Sequence, residues 1–427
     1  MANLFLIMPN LKRGGICLNN DIKVLRELSK EVNEISHKPI QNERRDLWRK
    51  QNSFHGVRPL IYIRAFAFNE IFDEKQLKCV DPYFRKYEYE MNMLKFRDTI
   101  GDDYIIEPWI TVEPVYSPPI DLRWGVPVQM GEKPREFGAA AFNPSIVDEW
   151  DINKLIVPKH QINEKATKEN FNKMQNAIGD IITVHLNRGP MLNMWFADIS
   201  TDLGKIRGME QIMWDIYDRP EWLHRILAFM RDGILKVQDE AEKAGDFSLA
   251  NHQNQAMPYA EELKDPTPNT YGVLRKQLWC FVASQEYTTF GPDMFYEFLL
   301  QYQAPIMEKY GLVAYGCCED LTQKIDVLRK IPNLRRIAVS PFADVKKCAL
   351  QIGEDYILSW RPNPSNMIST GLDEDFVRKV MRDNFKIFKA NGNHFDITLK
   401  DVQTINHQPE NVKKWVQIVR EEIDRCF

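Results

Sequence analysis

From about residue 190 the chain alternates short apolar runs with longer amphipathic stretches. The short runs are Met191–Ala197, Asp246–Asn251, Leu278–Ala283, Leu312–Tyr315, Leu334–Ser340, Tyr356–Ser359 and Phe395–Leu399. Each is too short for an ordinary helix and bounded by polar residues, so each predicts a strand. Between them, Met209–Val237, Pro292–Tyr310, Leu321–Lys330, Ala343–Ile352 and Asp373–Ala390 carry apolar residues at helical spacing, and Pro409–Asp424 adds a closing helix. Earlier, Asp21–Ser36 sets Ile22, Leu25, Leu28 and Val32 on one helical face, and the charged stretch Asn42–Asn52 reads as a second helix. Arg58 and Pro59 break that pattern, and Leu60–Ile63 reads as a first buried strand.

Strands alternating with helices at this spacing predict parallel βαβ units. Seven such strands, with the one at 60–63, approach the eight of a (β/α)₈ TIM barrel spanning residues 59–427, preceded by a helical extension over 1–58. Residues 70–170 are weakly periodic. Pro108, Pro114, Pro118, Pro119 and Pro127 predict long loops there, forming part of the barrel's rim or a cap over it. The competing arrangement is a doubly wound open sheet. The Gly-rich GxGxxG or GxxxxGK[ST] turn that often follows its first strand is missing from this sequence.

Composition narrows the function classes. With 44% apolar and 27% charged residues over 427 positions, the chain can bury a large core without staples. A net charge of −4 without like-charge blocks argues against nucleic-acid binding. No apolar run reaches membrane-spanning length. The opening residues lack the basic region and small-residue cleavage site of a signal peptide. Seven scattered cysteines, an odd number, point to a reducing compartment, and a cytoplasmic protein is expected.

In a barrel the chemistry sits at the carboxyl ends of the strands. The runs lead into Asn251 and His252, then Gln285 and Glu286, then Tyr315, Cys317, Cys318 and Glu319, then Ser340, then Arg361, and finally Lys400 and Asp401. Titratable side chains recurring at one end of successive strands predict one convergent site. Each also has a plain structural reading. His252 among amides is a hydrogen-bonded structural residue, Glu286 a helix cap, Cys317 and Cys318 small apolar residues, and Lys400 with Asp401 an ion pair. Cys348 is expected in a helix core, and His394 precedes its strand, at the amino end. Trp279, Tyr287, Tyr315 and Trp360 are expected to wall an apolar pocket.

At these residues the sequence resembles the uroporphyrinogen decarboxylase superfamily, and most closely its cobalamin-dependent methyltransferase branch. The resemblance is carried by Ile206-Arg-Gly-Met-Glu210, by Trp214-Asp-Ile-Tyr-Asp-Arg-Pro-Glu221, by Ser284-Gln-Glu286 with Gly291-Pro-Asp-Met-Phe-Tyr-Glu-Phe298, and by Tyr315-Gly-Cys-Cys318. It covers roughly residues 180 to 425 well and the first half weakly. The last motif falls where zinc methyltransferases of the family carry His-x-Cys, and only Cys317 carries over directly. Lys400 and Asp401 stand where a further Cys is expected. The decarboxylase's arginine-rich amino-terminal signature has no clear counterpart.

What the resemblance implies is a zinc-dependent methyltransferase that demethylates a small methylated compound, of the methoxylated aromatic class, and passes the methyl group to a corrinoid-binding protein. Cys317 or Cys318, Glu286 and His252 are then the expected zinc ligands. Tyr315, Glu319, Lys400 and Asp401 are the expected catalytic groups, with Tyr315 a donor to the leaving oxygen. Asn251, Gln285, Trp279, Trp360 and Arg361 are expected to bind substrate. No nucleic-acid or membrane partner is expected, and a homodimer is left open. The alternatives are a metal-free lyase using Asp401, Glu319 or Arg361 on a carboxylated substrate, and a non-catalytic corrinoid- or ligand-binding barrel.

Overall fold

The computed structural model describes residues 11–64, 66–131 and 141–427. Residues 1–10, on which the signal-peptide expectation falls, lie outside the described residues, as does 132–140 within the expected rim. Among the described residues no helix is long and apolar enough to cross a membrane.

Six parallel strands form one sheet in the spatial order Leu60–Ile63, Phe395–Leu399, Ile357–Trp360, Leu334–Val339, Leu312–Tyr315 and Trp279–Val282. All six are strands expected from the sequence. Nearly every strand residue is buried, as expected where helices cover one face and side chains fill the other. Neighbours in the sheet are also neighbours in the chain, except that the first strand lies beside the last. That succession belongs to a barrel-like α/β fold rather than to a doubly wound sheet. Side chains alternate accordingly. Trp279, Phe281, Leu312 and Ala314 form an inner cluster, whereas Cys280, Val282, Val313 and Tyr315 join the layer under the helices.

The remaining arc is built differently from the expectation. Met191–Ala197 is not a strand; it turns through a 3₁₀ segment at Met194–Phe196. Asp246–Asn251 is not one either; it ends in the turn Leu249–Asn251, with Ser248 and Asn251 hydrogen-bonded to each other through their side chains. Local side-chain bonds of this kind compete with a ladder. A two-stranded parallel pair, Trp109–Val112 with Thr183–Leu186, supplies two further strands. It packs with the helices Leu11–Ser36, Pro82–Asp98 and Glu164–Ile178 around a second core containing Leu25, Phe84, Met91, Ile110, Met174 and Val184. At one edge of the six-stranded sheet the Asp103 N–H donates to the Ile61 carbonyl, and at the other the Gln253 N–H donates to the Trp279 carbonyl.

The expected helix Met209–Val237 is two helices, Met209–Asp218 and Pro220–Ala244. Pro220 offers no N–H and pushes Arg219 out of the helical region, to φ −146° and ψ 48°. The expected Leu321–Lys330 helix shrinks to Ile325–Leu328. Helix Pro39–Asn52 lies against the barrel floor, where Trp48 packs with Leu60, Tyr62 and Tyr259.

Candidate active site

Pairing of the first strand with the last sets the site. The Arg64 N–H donates to the Leu399 carbonyl at 2.8 Å, so the residues that follow both strands meet at the carboxyl-end mouth. There a cavity of about 350 Å³ is lined by Arg64, Trp195, Gln285, Cys317, Cys318 and Lys400, together with Asp401 at its edge.

Lys400 is 4% exposed and sits at the centre of the group. Its Nζ lies 2.9 Å from Cys317 Sγ, 3.2 Å from Cys318 Sγ and 3.1 Å from Asp401 Oδ2. The two sulfurs are 3.6 Å apart. Buried Arg361 donates to the Cys317 carbonyl. Beneath them Glu319 accepts from the Ser284 N–H at 2.7 Å, the Ser284 hydroxyl at 3.1 Å and the Cys317 N–H at 2.8 Å. This carboxylate fixes the turn after Tyr315 against the neighbouring strand's end. Gly316, at φ +96°, makes that turn possible; a side chain there would run into Leu321 and Ala338.

The two thiols behave as one unit sharing a proton. The hydrogen bond between the two sulfurs, with the charges of Arg361 and Lys400, outweighs burial and lowers the Cys317 pKa. The same hydrogen bond, with burial, pushes Cys318 up. These effects favour the anionic form at Cys317 over Cys318. The Gln255 side chain is 3% exposed, and its amide lies beside Cys317 and adds to the lowering.

A second cavity of about 430 Å³ adjoins the first, sharing Thr201 and Lys205 with it, and holds Glu286. Glu286 accepts from the Ser200 hydroxyl at 2.7 Å, and burial holds its pKa above the usual carboxylate range. Fully buried Asp198 nearby is pushed well up by burial and by Glu286, and accepts from the Thr201 N–H and hydroxyl.

Of the residues anticipated from sequence, Gln285, Cys317, Cys318, Lys400 and Asp401 line the mouth, Glu319 and Arg361 support it, and Glu286 adjoins it. Others lie elsewhere. His252 lies at the amino end, because its segment passes beside the start of the Trp279–Val282 strand. One ring nitrogen accepts from the Trp279 N–H at 3.3 Å and the other meets the Lys264 carbonyl at 3.1 Å, while burial lowers its pKa to about 4. Tyr315 points outward, donating to Gln303 at 2.7 Å and packing edge-on against Phe295, so it does not reach the mouth. Trp360 lies under the last helices against Phe385 and Phe388, and Tyr287 is buried in the same helical layer. Trp279 is inside the barrel, donating to the Pro258 carbonyl. Asn251 ties Ser248 to Asn187.

The anticipated zinc set of Cys317 or Cys318, Glu286 and His252 is thus not assembled. Among the described residues no group of three or more His, Cys, Asp or Glu side chains is placed to hold a metal. The sulfurs and Asp401 surround an ammonium, whose charge and bulk fill the point a metal would take. The residues present do not fit zinc.

Arg64, Trp195, Phe196, Thr201, Lys205 and Gln255 were missed. Arg64 follows an apolar run, and the rule applied to the later strands would have found it. Trp195 and Phe196 lie in the Met191–Ala197 run, which reads as a strand and turns instead, and Thr201, Lys205 and Gln255 lie on segments that carry no strand.

No family model and no curated protein matches the chain. Among solved structures, a methyltransferase from Methanosarcina mazei is similar in fold, with a TM-score of 0.51 at 11% identity, covering 88% of this chain and 98% of its own. At that identity the likeness is one of architecture, and it supports the barrel-like α/β fold read from the strand order.

Proposed function

We propose that the protein is a methyltransferase-type enzyme that takes a methyl group from a small methylated substrate at the barrel mouth. The observation that carries the reading is the Cys317–Cys318–Lys400–Arg361 cluster at the carboxyl ends of the strands, where barrel enzymes do their chemistry. The similarity in fold to a methyltransferase supports it. The mouth offers what methyl transfer needs from a protein: a soft anionic group, aromatic walls from Trp195 and Phe196, and cations able to stabilise a departing anion. The acceptor class implied by the sequence resemblance is a reduced corrinoid on a partner protein, and the donor class a methoxylated aromatic compound.

The test is methyl transfer from a panel of carbon-13 methyl donors (aryl methyl ethers, methylthiols, methylamines), with reduced free cobalamin as acceptor and cobalt methylation followed by absorbance. Turnover with one donor class is expected. A second reading rests on one observation: Arg64 and Lys205 form no ion pair among the described residues, which suits a carboxylated substrate and a lyase. Release of carbon dioxide from a carboxylated donor without methyl transfer would replace the first reading by the second.

A further inference from the structure

The mouth holds a nucleophile and its counter-ion, both encoded by the chain. Lys400 Nζ contacts both sulfurs and the Asp401 carboxylate, and the segment after the last strand, Phe395–Leu399, holds it there. Cys317 and Cys318 both line the cavity, so a small molecule reaches them. The buried Gln255 amide lies beside Cys317 and favours its anionic form.

We infer that Cys317 is a covalent nucleophile with Lys400 as its built-in cation, and that the substrate's alkyl group passes through an S-alkyl-Cys317 intermediate. This rests on the methyl-transfer reading above. In the first step the Cys317 sulfur attacks the methyl carbon. The S–C bond forms, the bond from carbon to the leaving atom breaks, and its electron pair departs with that atom. Lys400, no longer facing a thiolate, gives its proton to the leaving group and becomes an amine. In the second step a nucleophile of the thiolate or low-valent metal class takes the methyl group. The S–C pair returns to sulfur, and Lys400, reprotonated from solvent, again faces a thiolate. A donor whose leaving group is anionic fits a mouth lined by Arg64, Lys205 and Lys400; a cationic sulfonium or ammonium donor does not.

Intact protein is treated with methyl iodide at neutral pH, and the modified peptides are followed by mass spectrometry. Cys317 is expected to be methylated about tenfold faster than Cys318 or half-buried Cys426, since the thiolate is the reacting form. Lys400→Met is expected to slow Cys317 about tenfold, and Lys400→Arg, which keeps the charge, to change it less than about threefold. Equal rates at Cys317 and Cys426, or an unchanged rate in Lys400→Met, would overturn the assignment. So would one equivalent of zinc bound by the untreated protein that shields Cys317. If Lys400→Met does not fold, the comparison of cysteines within the unaltered protein still decides. Turnover of a natural donor by Cys317→Ser sinks the nucleophile while sparing the methyltransferase reading. Fast Cys317 methylation in a protein that turns over no methyl donor sinks that reading while sparing the nucleophile.

Discussion

At the residue scale, two buried carboxylates make opposite predictions. Glu319 uses both oxygens as acceptors for three donors. Glu319→Gln replaces one acceptor by an NH₂ group that faces a donor. A loss of about 1–3 kcal/mol is expected, read from the midpoint of denaturant unfolding. Asp198 is held well above the usual range by burial and by Glu286. Its folded pKa is raised, so the folded protein keeps this proton after the unfolded chain has released it. Below the ordinary carboxylate pKa near ~3.9 the group contributes nothing to pH dependence, and as pH rises beyond that, stability falls until the folded group ionises. Asp198→Asn removes the titration, while its amide can still accept from the Thr201 N–H and donate to the Thr201 hydroxyl. The variant is expected to melt higher than the parent at about pH 8, with the advantage vanishing near pH 4. A lower melting point at both pH values would rule out the account.

At the element scale, helix Pro220–Ala244 shows which terms decide. Gly233 lies within it, and a Cβ there would meet Trp124 at 2.8 Å and Pro158 at 3.0 Å. Helix propensity alone favours Gly233→Ala by up to about 1 kcal/mol. Trp124, though, is fully packed and donates to Asp202, the buried partner of Arg123, so it cannot retreat. Overpacking costs about 1–3 kcal/mol, and the variant is expected to lower the melting temperature. The same balance explains what the sequence revealed. Six buried strands were legible because each is a short, mostly apolar run bounded by polar residues. Trp109–Val112 and Thr183–Leu186 were not, because each is partly exposed and mixes polar with apolar side chains. Cys317, Lys400 and Asp401 were found by position after a strand. His252 was misplaced by the same rule, because its preceding run is a turn. The outward aim of Tyr315 followed from strand alternation, which the adjacency of Cys317 obscured.

At the scale of the whole molecule, helix Pro39–Asn52 is tied to the barrel's floor. Asn52 accepts from buried Arg336 at 2.7 Å and donates to the Met257 and Tyr259 carbonyls, and Trp48 donates to the Asp103 carbonyl. A chain beginning at residue 59 would leave these groups unpaired and the floor cluster open. It is expected to give insoluble protein or no cooperative unfolding transition in calorimetry. Arg336 also pairs with fully buried Asp396. Arg336→Met strands that carboxylate and is expected to cost about 3–5 kcal/mol.

The placement of Lys400 also has a consequence for biogenesis. Cys317 and Cys318 precede it by 83 and 82 positions in the chain. At synthesis rates of about 5–20 residues per second, the paired thiols leave the ribosome several seconds before their ammonium does. Until the last strand docks they are ordinary neighbouring cysteines, open to oxidants and to each other. The fraction of newly made chains with both thiols intact should therefore follow the reductant present during expression.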